Sequence, residues 1–117
     1  MPKSILVADD DKAMINLYRM IFSRTDYSIS KASSFAEAKQ LIALNNYDLL
    51  ITDLMFPDGL GTELIKLFEE KQNGAKSLLV TGSTLELEPK LLPESVRYFE
   101  KPFKIEPFLS AVTKALA

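Results

Sequence analysis

Five polar residues stand at the ends of short apolar runs: Asp9 and Asp10 after Ile5-Leu6-Val7-Ala8, Asp53 after Leu49-Leu50-Ile51-Thr52, Thr81 after Leu78-Leu79-Val80, and Lys101 after the run from Val96 to Glu100. Brought together, they could support phosphoryl transfer. Clustered carboxylates raise one another's pKa and resist joint ionisation unless a cation joins them. A set of oxygen ligands without imidazole or thiolate suits Mg²⁺, which prefers octahedral geometry and keeps some of its waters. Beside such an ion and the Lys101 ammonium, Asp53 is a candidate nucleophile, because carboxylates accept phosphoryl groups and the two cations would neutralise the transferring oxygens. Thr81 could hydrogen-bond the product.

The composition excludes most other chemistries. The chain has no Cys and no His, which removes disulfides, thiolate zinc sites, thiol nucleophiles, Ser-His-Asp triads, HExxH motifs and imidazole shuttles. Its 117 residues fit one domain (1–117), and 47% hydrophobic with 26% charged residues suffices for one sizeable core. Fourteen basic against sixteen acidic residues give a net charge of -2, without the basic excess that drives phosphate-backbone binding, so no direct nucleic-acid partner is expected. The four apolar residues before Asp9 are too few for a signal peptide, and no run approaches the ~20 apolar residues of a membrane span. The expectation is a soluble, cytoplasmic protein without a membrane partner.

The elements that must position these residues alternate between apolar runs and helical periodicity, which reads as repeated βα units around a parallel sheet. Ser4–Ala8 is the first strand. Met14, Leu17, Tyr18 and Ile21 then stripe a helix ending near Arg24. Tyr27 to Lys31 alternates as a short strand, and Ser34 with Glu37 forms a capping box before a second helix. Leu49–Thr52 reads as a buried central strand, residues 53–61 as a Pro- and Gly-punctuated loop, and Leu64, Leu67 and Phe68 as a third helix closed by Asn73-Gly74. A fourth strand spans Ser77–Val80. Pro89 and Pro93 allow at most a short or irregular fourth helix between residues 83 and 95. Val96–Glu100 is the fifth strand, and Ile105, Phe108, Leu109, Val112 and Leu116 stripe a last helix with Pro107 in its first turn. In a doubly wound sheet all strand carboxyl ends share one rim, and an order of 2-1-3-4-5 would set Asp9 and Asp10 beside Asp53 at the switch point.

Four stretches in sequence order, Ile5-Leu6-Val7-Ala8-Asp9-Asp10, Leu50-Ile51-Thr52-Asp53-Leu54-Met55-Phe56-Pro57-Asp58-Gly59, Val80-Thr81-Gly82 and Tyr98-Phe99-Glu100-Lys101-Pro102-Phe103, resemble the receiver domain of bacterial response regulators, the CheY-like family with a flavodoxin-like fold. The resemblance implies that Asp53 receives a phosphoryl group from a phosphohistidine on a histidine kinase or histidine phosphotransfer protein. It implies that Asp9, Asp10 and Asp53 hold Mg²⁺ with the backbone carbonyl of Met55, and that Lys101 pairs with the phosphoryl group. Thr81 and Tyr98 resemble the family's switch pair, which would bias a protein-interaction surface toward a downstream partner or an output domain outside this chain. Beyond Mg²⁺-dependent self-phosphorylation and self-dephosphorylation, no enzymatic activity is implied. Met55 and Ser83 stand where the family influences dephosphorylation, and neither offers an acid or amide to position water, so slow loss of phosphate is expected. Residues Thr81 to Lys101 span slightly less chain than is usual, and the prolines fall where the family's fourth helix runs, which leaves the oligomeric state open.

Each residue also has a plainer reading. An acidic triplet commonly opens a helix, an Asp marks a turn, a Thr favours a strand, and a Lys before Pro is a surface residue. Asp58 before Gly59 reads as a turn residue. An aspartyl-nucleophile phosphohydrolase usually needs an acid two residues after the nucleophile, where this chain has Met55. A flavin-binding loop needs donors, and Asp9-Asp10-Asp11 would repel its phosphate. An interaction-only pseudo-receiver would lack reactive side chains that are all present here.

Overall fold

A computed structural model describes residues 2–82 and 96–117. Its elements run β1 (Ser4–Ala8), α1 (Lys12–Phe22), β2 (Ser28–Ala32), α2 (Phe35–Leu44), β3 (Leu49–Thr52), β4 (Met55–Phe56), β5 (Gly59–Leu60), α3 (Gly61–Lys71), β6 (Lys76–Thr81), β7 (Val96–Glu100) and α4 (Ile105–Leu116). Five strands form a parallel sheet in the order β2-β1-β3-β6-β7, which is the expected 2-1-3-4-5 order once the short β4–β5 pair is set aside. The expected irregular helix around Pro89 and Pro93, and Ser83, lie outside the described residues.

The central strands are apolar at almost every position because both sheet faces are covered, and alternate residues feed two separate cores. Ile5, Val7, Leu49, Ile51, Leu78 and Val80 pack against α1 and α4, where Tyr18, Phe22 and Phe108 are the large rings. Leu6, Ala8, Leu50 and Leu79 pack against α2 and α3 through Ala38, Ile42, Leu64 and Phe68. The β1/β3 register is pinned at its outer end by Asp48, whose Oδ2 accepts from the Ser4 backbone N–H at 2.7 Å and whose own N–H donates to the Ser4 carbonyl at 2.8 Å.

Local signals account for the helix ends. Asp11 accepts from Ala13 N at 2.9 Å and caps α1, so the acidic triplet divides into two rim residues and one cap. Ser34 caps α2 by accepting from Glu37 N at 3.1 Å, while the Glu37 carboxylate accepts from Ser33 N rather than from Ser34. Each such cap is worth about 1 kcal/mol. The loop expected over residues 53–61 contains an antiparallel hairpin, Met55–Phe56 against Gly59–Leu60, with Pro57 and Asp58 at the turn. Strands of two residues carry no periodicity for a sequence to display. Helix α3 ends at Lys71, ahead of the Asn73-Gly74 turn in which Gly74 takes φ 77°. Its last turn clamps the preceding layer: Lys71 Nζ donates to the carbonyls of Ile42, Ala43 and Asn45, and the Gln72 amide pairs with both the N–H and the carbonyl of Tyr47.

Ser77 is an exception in β6. It is fully buried and its hydroxyl has no hydrogen-bond partner among the described residues. An unsatisfied buried hydroxyl costs on the order of 1–3 kcal/mol, so Ser77→Ala should raise stability by about 1 kcal/mol, read as a higher urea midpoint with an unchanged slope.

Candidate phosphoryl-acceptor and metal site

The carboxyl ends of β1, β3, β6 and β7 meet at one rim. Backbone bonds fix the two acid-bearing chain exits, with Asp9 N donating to Ala32 O and Asp53 N to Ala8 O, each at 3.0 Å. Asp9 is completely buried, Asp53 is partly exposed and Asp10 is exposed. One carboxylate oxygen from each of the three lies within 4.8 Å of the others. The fourth exit is tied in by Lys101 N donating to Thr81 O at 2.9 Å, and the Lys101 side chain returns across the rim. Its Nζ donates to Asp9 Oδ2 at 2.9 Å and to Asp53 Oδ2 at 3.3 Å. The Lys101–Pro102 peptide is cis.

The electrostatics follow from this crowding. Burial pushes the Asp9 carboxyl above its ordinary value, the Asp53 charge adds to the rise, and bonds from Lys101 and the Asp11 N–H only partly offset it. Burial pulls the Lys101 ammonium down, but its bond to Asp9 and the charges of Asp9 and Asp53 outweigh that, and its pKa is raised. Asp53 is further held by the Leu54 N–H, which donates to its Oδ1 at 2.7 Å. Gly61 packs directly under the same residue, where an added Cβ would run into the Asp53 carbonyl. Three carboxylates facing one ammonium leave an acidic excess with oxygen donors only. This donor set fits a hard divalent cation of the Mg²⁺ type.

Residues 5–113 match the response regulator receiver domain family. The chain belongs to that family. Curated relatives include the response regulator MprA of Mycobacterium sp. strain KMS, 32% identical over 99% of this chain and 51% of the relative. The transcriptional regulatory protein SrrA of Staphylococcus aureus strain NCTC 8325 is 32% identical over 88% of this chain and 43% of the relative. The chain thus spans about half the length of the curated relatives it matches. Among solved structures, the signal receiver domain of an HD domain-containing protein from Pseudomonas fluorescens Pf-5 superimposes with a TM-score of 0.90 at 26% identity, covering 99% of this chain and 95% of that one. A CheY-like receiver domain protein from Methanospirillum hungatei JF-1 gives 0.88 at 26% identity, covering 99% and 94%.

Within this receiver domain the remaining expected residues differ in burial. Thr81 is buried at the end of β6, opposite Glu100 in register, and Tyr98 is half-buried opposite Leu79, packed against the α2/α3 core. Met55 is exposed on the hairpin beyond Asp53. A cavity of about 390 Å³ opens beside Asp9 and Asp10, walled by Lys12, Asn16, Lys31 and Glu37. Sequence reading missed two residues. Tyr18, placed in the apolar stripe, has its phenol pKa pushed up by burial and then by the charges of Asp9 and Asp53. Asp58 lies below its ordinary value because its carboxylate accepts the N–H groups of Ala36 and Phe35, partners that no local sequence signal indicates.

A folded-state pKa raised above the unfolded one means that ionised Asp9 opposes folding above that pKa, and that the penalty disappears as pH falls through it toward 3.8. Asp9→Asn should therefore melt higher than the parent chain at neutral pH in chelator. The difference should shrink on acidification; parallel melts at several pH values measure both.

Proposed function

We propose that this chain is a phosphoryl-accepting module of a two-component relay. A phosphohistidine on a histidine kinase or histidine phosphotransfer protein is the donor. A carboxylate oxygen of Asp53 bonds to phosphorus, the nitrogen–phosphorus bond breaks, and its electron pair returns to the imidazole. The observation that carries this reading is the Lys101 ammonium held between Asp9 and Asp53 at 2.9 and 3.3 Å beside three converging carboxylates.

In this reading Asp9, Asp10, Asp53 and the Met55 carbonyl hold Mg²⁺. When bound, the ion neutralises the acidic excess and the oxygens of the incoming group. Lys101, already bonded to Asp53, pairs with the phosphoryl oxygens, while the Leu54 N–H keeps the acceptor carboxylate oriented. Thr81 then bonds the phosphoryl group and Tyr98 follows it inward, shifting the balance of a two-state surface. Output is a protein contact, made by a separate partner or by an output domain of a longer chain. Residues 1–117 act as a single cytoplasmic receiver unit without direct nucleic-acid or membrane contact, and self-phosphorylation and self-dephosphorylation are its only chemistry.

Intact mass after incubation with acetyl phosphate tests acceptor and metal together. We expect one phosphoryl adduct that requires Mg²⁺ and is absent from Asp53→Asn. An adduct that persists in Asp53→Asn, or that forms equally in chelator, would sink the assignment. Once formed and freed of donor, the adduct should decay slowly, because the exposed Met55 side chain offers no group to orient water; the time course of the same mass measurement reads that rate.

A further inference from the structure

The hairpin that follows Asp53 is anchored at its open end, where Phe56 packs into the α2/α3 core and Gly61 N donates to Leu54 O, but neither contact holds its turn. Its ladder joins only Met55 to Leu60 and Phe56 to Gly59, and two-stranded ribbons of this size are not stable alone. Its turn is instead fastened to another element. Asp58 Oδ1 accepts from Phe35 N and Oδ2 from Ala36 N, both at 3.0 Å. Those are the first two N–H groups of α2, which have no partner within the helix, and a carboxylate there also meets the positive end of the helix dipole. Ser34 takes the Glu37 N–H, so the opening of α2 is satisfied jointly by its own cap and by a residue from the Asp53 loop. A second contact lies alongside. The Phe35 ring seats against Gly59 so closely that a Cβ there would come within 2.5 Å of it.

Both attachments lie on the strand pair that carries Met55. The helix they reach also faces the acidic rim, since Ser33 and Glu37 wall the cavity beside Asp9 and Asp10. The five-stranded sheet fixes Asp9 and Asp53 through backbone bonds, whereas Met55 is paired only within the two-stranded hairpin, whose open end is closed by Gly61 N donating to Leu54 O at 2.6 Å. We propose that Asp58 is the positioning residue of the metal site, clamping the hairpin to the start of α2 and so fixing the Met55 carbonyl relative to Asp9, Asp10 and Asp53. This rests on the Mg²⁺ reading given above.

The test is a Mg²⁺ titration followed by amide NMR shifts of residues 9–10 and 53–60 in the parent chain, Asp58→Ala, Asp58→Asn and Ser34→Ala. Outer-shell partners of metal ligands typically affect affinity by 10–100-fold, so Asp58→Ala should bind about tenfold more weakly. Asp58→Asn, which retains one acceptor oxygen, should fall between, and it carries the test if the alanine variant does not fold. Ser34→Ala removes the other cap of the same helix without touching the hairpin and should titrate like the parent. Phosphoryl uptake by Asp58→Ala should recover at saturating Mg²⁺, because Asp53 itself is unmoved. Parent-like affinity in the Asp58 variants, or an equal loss in Ser34→Ala, overturns the positioning role alone. A parent chain whose resonances do not respond to Mg²⁺ overturns the metal site and this role with it.

Discussion

Three carboxylates and one ammonium share the end of a sheet, and that charge imbalance is the constraint around which the fold is arranged. The favourable contacts are local: Lys101 reaches Asp9 and Asp53 at 2.9 and 3.3 Å, and two N–H groups bond the same carboxylates. They do not cancel the desolvation of Asp9, whose pKa remains raised. The site therefore draws on stability generated elsewhere, as functional sites commonly do. Its source is the pair of apolar cores on the two sheet faces. A parallel sheet is suited to the purpose because it delivers every strand's carboxyl end to the same rim.

The two ends of the α2/α3 layer are fastened by different means. Away from the rim, Lys71 and Gln72 bond backbone groups of residues 42–47 directly, so α3 and the chain entering β3 are joined independently of the site. At the rim, α2 is fastened to the hairpin by the Asp58 carboxylate and the Phe35–Gly59 contact, while the start of α3 is bonded to the chain leaving β3 through Gly61 N and Leu54 O. Both ends thus use main-chain atoms, but only the rim end is tied through the hairpin that carries Met55.

Most of the architecture was legible in the sequence because the parallel strands are short apolar runs bounded by polar residues, and the helices are amphipathic. The bounds of β1 and β3 match their apolar runs, and the acids expected at the rim lie there. What escaped was nonlocal or too short. The β4–β5 hairpin has two-residue strands. Asp58 finds its partners on a helix more than twenty residues earlier in the chain. Glu37 satisfies Ser33 instead of completing a reciprocal box with Ser34, a choice of one residue that spacing alone does not make. Tyr18 looked like any other apolar position of α1 because its ring is indeed core; only the fold brings its phenol near the site's charges.

The Ser4–Asp48 pairing has a consequence for how the chain tolerates insertion and deletion. In a strand with one wet face, a slip of one residue is punished by exposing the apolar set. In β1 both faces are dry, and Ile5, Leu6, Val7 and Ala8 are all apolar, so a slip would exchange one apolar set for the other. The information that fixes alignment is therefore displaced to the flanks: Asp48 against Ser4 at one end, Asp9 at the other. Adding or removing one residue inside β1 would therefore keep both faces apolar while turning Asp9 away from Asp53, so the acidic rim would come apart with little change in what the two cores exclude from water.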